Sequence, residues 1–267
     1  MQIHATADVD SSASLGEDVE IGARAYVGPG AVIGDHCSIG RGSYIAENTQ
    51  LGENNILYPY VVLGTPPQDM KYHGEETRLV VGDSNVFREF LTINRGTANG
   101  EGETRIGDRN FFMISSHVGH DCIVEDETIM VNNVQLGGHC HVEEGAKLMG
   151  AAAVNPFVTV GKMAYVGGMT RVVRDVPPFM IMEGNPAKVR GVNEIGLRRA
   201  GYEQDKIDRL AEVYKKIYRT RELNRSKIFE RIESRDETIE EVRYLVQFLQ
   251  RSLEGKHGRY RESLRGD

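Results

Sequence analysis

The chain has 267 residues, 30 of them Gly, 8 Pro and none Trp. A glycine share of about 11% stands above an average near 7%, with too little Pro for a collagen-like or disordered chain, so the glycines belong to ordered structure. With 32 basic and 39 acidic side chains the net charge is −7, which argues against a general nucleic-acid binder.

The opening MQIHATADVDSS has no basic stretch followed by an apolar run. No segment approaches the roughly 18–20 apolar residues of a membrane span. A cytoplasmic protein without a membrane span is therefore expected.

From Ile3 the chain repeats every six residues. Ile3, Val9, Leu15, Ile21, Val27, Ile33, Ile39, Ile45, Leu51, Leu57 and Leu63 are all aliphatic. The pattern resumes at Val81, Phe87 and Ile93, and again from Ile106 through Val172. Two residues before many of the large apolar residues stands a small or short one, such as Ala25, Ala31, Cys37 or Ser43, and Gly often follows the large one. A period of six is not the 3.6 of an amphipathic helix. It is also too short for a hairpin sandwich, whose turns recur every 8–12 residues. Short parallel strands wound into a solenoid remain, with three hexads to an 18-residue coil. Two segments break the repeat, about 65–80 and about 96–105. The first domain is thus 1–190.

From 191 the period changes. Ile207, Leu210, Tyr214 and Ile217 fit one helix face, as do Ile239, Val242, Val246 and Leu249. Residues 222–236 read as a further helix or a loop, and the last stretch, GKHGRYRESLRGD, as frayed. Residues 191–267 form the α-helical second domain, with 18 basic and 15 acidic side chains against 14 and 24 in the first.

Cys37, Cys122 and Cys140 all fall on small inward positions and read as core filler. Histidines cluster at His117, His120, His139 and His141. In an 18-residue coil, His120 stacks near Gly138 and Asp121 near His139, about 4.8 Å apart. A His beside Asp, over Gly and near a second His suits acid–base chemistry; a solvated or interface His is the alternative. A zinc site using His117, His120 and His139 is a third reading. Gln68, Asp69 and Lys71 in QDMKY could hold sugar hydroxyls or sit in a solvated loop. The 96–105 loop lacks the Lys-Ser/Thr of a phosphate loop and reads as a turn. Arg198 and Arg199 suit a phosphate or an acidic partner, or a solvated helix face.

Together the hexads, QDMKY, SHVGHDC (116–122), NNVQLGGH (132–139), DVPPF (175–179) and GVNEIGLRRAGY (191–202) resemble the UDP-N-acetylglucosamine O-acyltransferases of lipid A biosynthesis. The resemblance implies a mainly β protein, a left-handed parallel β-helix of hexapeptide repeats with a C-terminal α-helical domain. It implies a homotrimer with clefts between subunits and no cofactor or metal. The reaction implied is transfer of an (R)-3-hydroxyacyl group from acyl carrier protein to the 3-hydroxyl of UDP-N-acetylglucosamine. Carried over by motif, His120 is the general base, Asp121 its partner, and the Gly138 N–H the oxyanion donor. His117, Gln68, Asp69 and Lys71 hold the sugar, His139 lies beside it, and Asn193 and Arg199 meet the nucleotide. Gly168 falls where the family measures the acyl chain. Asn155-Pro156 stands where the family usually has His-Gln, so Asn155 bears on nucleotide or acyl contacts. The alternatives are N-acylation of a 3-amino UDP-sugar, a zinc-dependent carbonic-anhydrase-like hydratase, and a non-catalytic nucleotide-sugar-binding scaffold.

Overall fold

The structure, a computed structural model, describes residues 1–220, 224–236 and 239–264. Residues 222, 223 and 265–267, which fall within two of the expectations above, lie outside the described residues.

Among the described residues, strands of two to five residues form three sheets of eleven, nine and eight strands. Neighbouring strands are parallel except for the last pair of the first sheet, and the pairing step gives the coil length. Gln2 faces Glu20, a step of 18. The step rises to 30 where Ile56 faces Val86 and is 25 where Val86 faces Phe111. It returns to 18 where Phe111 faces Ile129. The two interruptions are therefore absorbed as loops of 12 and 7 extra residues, and the coils resume in register above each.

The core is the space the three sheets enclose. The large column (Ile33, Ile39, Ile45) and the small column (Ala31, Cys37, Ser43) are both buried. Burying each large aliphatic contributes about 1.5–3 kcal/mol relative to exposing it. The three cysteines are free, fully buried fillers. Each thiol donates to a carbonyl 15 residues ahead, as Cys122 does to Gly137.

Glycine after each large residue suits the tight corner expected to follow it, but the glycines of that column do a different job. The left-handed corner positions belong mostly to other residues, among them Asp121, His139 and Phe157. A glycine such as Gly40 instead admits the neighbouring coil, since a Cβ there would lie 2.6 Å from the Leu57 carbonyl oxygen.

Strand Met180–Glu183 extends the first sheet, and Lys188–Val192 pairs with it antiparallel. Among the described residues, five helices follow: α1 (Glu194–Arg199), α2 (Gln204–Tyr218), α3 (Arg225–Asp236), α4 (Glu240–Glu254) and α5 (Tyr260–Ser263). Ile207 and Leu210 of α2 and Val242 and Val246 of α4 are buried together with Phe179 and Met180 of the solenoid. The helical faces read from the sequence thus close the end of the coil. The expected fraying of the last stretch is not found through Leu264. Gly255–Leu264 instead folds back along the solenoid and ends in α5.

Candidate active site

The site forms at one corner of the coil. The strand His117–Val118 ends there, with Val118 fully buried in the core and His117 facing out. The next two residues turn the corner, and Asp121 takes a left-handed conformation (φ 56°). One coil on, Gly138 and His139 make the same turn (His139 φ 61°), and Phe157 makes it again at φ 66°. Corner backbones are tied coil to coil, His139 N–H to the His120 carbonyl at 2.8 Å and Phe157 N–H to the Gly138 carbonyl at 3.1 Å.

This stacking sets the side chains. His120 Nδ1 lies 2.7 Å from Asp121 Oδ2. Asp121 is ionised and only 3% exposed, so Nδ1 carries the proton and Nε2 is left as the base. Asp121 also accepts the Thr97 N–H at 2.9 Å and the Thr97 hydroxyl at 2.7 Å. Its own N–H donates to the Thr104 hydroxyl. Burial pushes the carboxyl up, but the bonds from His120 and Thr97 outweigh it and hold the Asp121 pKa below the usual carboxylate range.

The His120 imidazole lies against Gly138, whose N–H has no partner among the described residues. His139 meets His120 edge-on, ring centres 5.0 Å apart, and stacks on Phe157 at 4.4 Å. His117 Nδ1 is 2.8 Å from the Thr92 hydroxyl. Burial, followed by the nearness of His120, lowers the His117 pKa, so His117 is neutral near pH 7.

A cleft of about 660 Å³ opens beside this corner. Asp69, Lys71, His139 and Phe157 line it, with Thr97, Gly100 and Arg261. Gln68 is exposed in the loop that carries Asp69 and Lys71. The corner residue His139 and the QDMKY residues Asp69 and Lys71 therefore border one cleft.

Other expected residues lie apart from this cleft. Asn155 is half-buried just after strand Ala153–Val154, in line with Gly119 and Gly137, and its carbonyl accepts the Cys140 thiol. Gly168 is exposed. Arg199 is exposed on α1, while Arg198 is bound to Glu194 and Gln204. Asn193 is buried, and its amide is already used: Nδ2 donates to the Met163 carbonyl and Oδ1 accepts the Gly196 N–H. It caps α1 rather than offering a free amide.

Three contributors were not foreseen. Thr97 belongs to the 96–105 loop, which is more than a turn because it buttresses Asp121. Its contact with Asp121 spans 24 residues, not the 18 of the regular coil, so stacking by eighteens did not reveal it. Phe157 lies 18 residues beyond His139 and was legible by the same stacking. Arg261 bonds to the His139 carbonyl across 122 residues, and no local pattern announces it.

His120, Asp121 and His139 also place one ligand atom each within 4.8 Å of one another, a set able to hold a metal ion. His117, which completed the expected zinc set, is outside that group and bound to Thr92. The 2.7 Å His120–Asp121 contact is a hydrogen bond, and Thr97 already occupies Asp121, so the residues fit a tuned base better than a metal cage.

Among the described residues, no helix is long and apolar enough to cross a membrane. Residues 175–258 match the family profile described as UDP-N-acetylglucosamine O-acyltransferase, domain 2. Residues 12–47 and 30–65 match the bacterial transferase hexapeptide profile. An acyl-[acyl-carrier-protein]–UDP-N-acetylglucosamine O-acyltransferase of Anaeromyxobacter sp. strain K is 44% identical over 96% of this chain and 99% of its own. One from Synechocystis sp. is 46% identical over 62% of this chain, and the match spans 60% of that relative's length. The crystal structure of a UDP-N-acetylglucosamine acyltransferase from Bacteroides fragilis overlays with a TM-score of 0.91 at 33% identity, covering 93% of this chain and 97% of that one. The fold is accordingly the left-handed parallel β-helix with C-terminal helices. The chain belongs to the UDP-N-acetylglucosamine O-acyltransferase family.

Proposed function

We infer that the protein transfers an (R)-3-hydroxyacyl group from acyl carrier protein to the 3-hydroxyl of UDP-N-acetylglucosamine, the first step of lipid A biosynthesis. One observation carries the reading: the Asp121-bound His120 imidazole lies against Gly138, whose N–H has no partner among the described residues. His120 Nε2 takes the sugar hydroxyl proton as that oxygen attacks the thioester carbonyl. The Gly138 N–H donates to the oxyanion that forms. Collapse breaks the C–S bond, and the imidazolium returns the proton to the departing thiolate. Asp121 keeps the proton on Nδ1 and stabilises the imidazolium. A thioester is already activated, so a placed base and donor suffice without a cofactor or a covalent intermediate.

Asp69, Lys71 and Gln68 hold the sugar, with neutral His117 and His139 flanking it. Asn193 serves the nucleotide indirectly by fixing α1, which presents Arg199 to phosphate. Asn155, at the end of strand Ala153–Val154, serves nucleotide or acyl contacts from outside the cleft, and Gly168 leaves open surface for the acyl chain. Because Arg199 and Gly168 are not among the residues that line the cleft of one chain, they serve best across a subunit boundary in a homotrimer. The exposed Tyr60–Phe90 stack (ring centres 5.5 Å apart) and exposed Ile114 and Met169 are apolar surface suited to such packing. Localisation in the cytoplasm, where carrier-bound acyl groups are made, follows from the reading.

The test is an acyl-transfer assay with UDP-N-acetylglucosamine, its 3-amino analogue and a panel of 3-hydroxyacyl carrier proteins, with sedimentation and metal analysis of the same sample. Transfer to the 3-hydroxyl by a trimer is expected. Preference for the amine would reassign the acceptor. UDP-sugar binding without transfer would leave a scaffold, and stoichiometric zinc with hydratase activity would overturn the reading.

A further inference from the structure

The C-terminal segment makes a set of contacts that the transfer reaction above does not use. After α4 the chain turns tightly at Gly255, where the Arg259 carbon and carbonyl oxygen come so near that a Cβ would meet them at 2.5 and 2.6 Å. The turn is closed by Arg259 N–H to the Lys256 carbonyl at 3.0 Å. The segment then docks on the solenoid through buried Asp175. Asp175 N–H donates to the Gly258 carbonyl at 2.8 Å, and the Asp175 carboxylate accepts the Tyr260 N–H at 3.0 Å. Arg259 Nη1 donates to the Val173 carbonyl at 2.8 Å. These anchors aim α5 at the active-site corner. Arg261 Nε donates to the His139 carbonyl at 3.1 Å, and its Nη2 lies 3.7 Å from Glu101 Oε1. Arg261 and Leu264 then form part of the wall of the same cleft as Asp69 and Lys71.

We propose that Arg261 is a positioning residue for acyl transfer, locking the Gly138–His139 corner through the His139 carbonyl. The proposal rests on the reading of Gly138 as oxyanion donor. His139 sits in a left-handed corner conformation, its N–H is held by the His120 carbonyl, and its ring bears on both His120 and Phe157. Arg261 holds the other end of the same residue. With both ends of His139 fixed, the adjoining Gly138 has one orientation towards the reacting carbon. Glu101, from the 96–105 loop that also supplies Thr97 to Asp121, steadies the guanidinium. The base side and the donor side of the site are thereby tied to one segment that comes from the far end of the chain.

The experiment compares wild type, Arg261→Ala, Arg261→Lys and a chain ending at Glu254, all as full assemblies. Steady-state transfer is measured beside thermal melting, and the Gly138 amide is followed in ¹⁵N-glycine-labelled protein. Arg261→Ala is expected to lower kcat about 10-fold or more while KM changes less than threefold, in keeping with loss of one charge-assisted bond. Arg261→Lys keeps one donor and is expected to recover most of kcat. The truncated chain should match the Ala variant in kcat and in the moved Gly138 resonance. Unchanged kcat together with an unmoved Gly138 resonance in Arg261→Ala would overturn the proposal. So would a loss that tracks the melting temperature and is not rescued by Lys. If wild type itself transfers no acyl group, the functional reading fails, whereas the Gly138 resonance still reports on whether Arg261 fixes the corner.

Discussion

His120 and Gly138 are locked together by shape: a Cβ added to Gly138 would lie 2.6 Å from His120 Cε1 and 2.7 Å from Nε2. The glycine is needed because the imidazole occupies the space of its side chain, and Gly138 itself has no positive φ. Gly138→Ala leaves the N–H in place but pushes the base aside. A displacement of about 1 Å can cost about 100-fold, so kcat should fall by at least about that factor with little change in melting temperature. Stopped-time transfer assays on the melted-and-matched pair check this. A variant within threefold of wild type would show that His120 tolerates displacement and is not the base.

Asp121→Asn tests the tautomer argument. Asp121 accepts three hydrogens, from His120 Nδ1, Thr97 N–H and the Thr97 hydroxyl. An amide offers one acceptor oxygen and turns an NH₂ towards one of those donors. His120 then loses either its orientation or its preferred tautomer, and kcat should drop about 10²–10⁴-fold. Nucleotide-sugar affinity, measured by calorimetry, should stay within a few-fold. An equal loss of affinity and turnover would instead make Asp121 a ground-state binding group.

Thr97 and Gly100 carry the same argument into the loop. Thr97→Val removes the hydroxyl bond to the buried carboxylate but keeps the backbone one. Bonds to charged groups are worth about 1.5–3 kcal/mol, which translates to roughly a 10-fold or greater loss of kcat if the bond is used in turnover. Gly100→Ala should be worse, because its Cβ would fall 2.2 Å from Asp121 Oδ1. The ordering Gly100→Ala below Thr97→Val below wild type is the expected readout. Equal activity in all three would detach the loop from catalysis.

These cases show what the sequence could and could not reveal. The hexads fix which residues face inward, and a constant coil of 18 turns sequence spacing into spatial stacking. His120 over Gly138 and Asp121 by His139 were legible for that reason. Thr97 was obscured because seven extra residues shift the step to 25, so the stacking rule failed locally. The resemblance put Asn193 at the nucleotide; in the structure its amide also caps α1 through the Gly196 N–H and donates to the Met163 carbonyl 30 residues away, a tertiary contact that no local pattern announces. Arg261 reaches His139 across 122 residues. Its composition-poor, polar surroundings read as a frayed end because the anchors are backbone groups and one buried carboxylate, Asp175.

Asp175 gives that anchor a pH signature. Its side chain is 5% exposed and accepts the Thr159 and Tyr260 N–H groups, with Ser252 and Arg259 also facing it. Burial outweighs these favourable contacts and raises its pKa from 3.8 to about 6. The folded state therefore holds this proton more tightly than the unfolded chain. The stability it contributes is complete below pH 3.8 and is lost as pH rises through about 6, with an upper size of about 3 kcal/mol. Asp121 and Glu125, whose pKa values are lowered, contribute in the opposite direction, so the raw stability curve mixes both. Subtracting Asp175→Asn, which cannot titrate, isolates the site. The stability difference, wild type minus variant, should fall between about pH 4 and pH 7 as read by denaturant unfolding at each pH. A difference that is flat or rises with pH would mean that Asp175 is ionised throughout and that its backbone bonds, not its burial, set its charge.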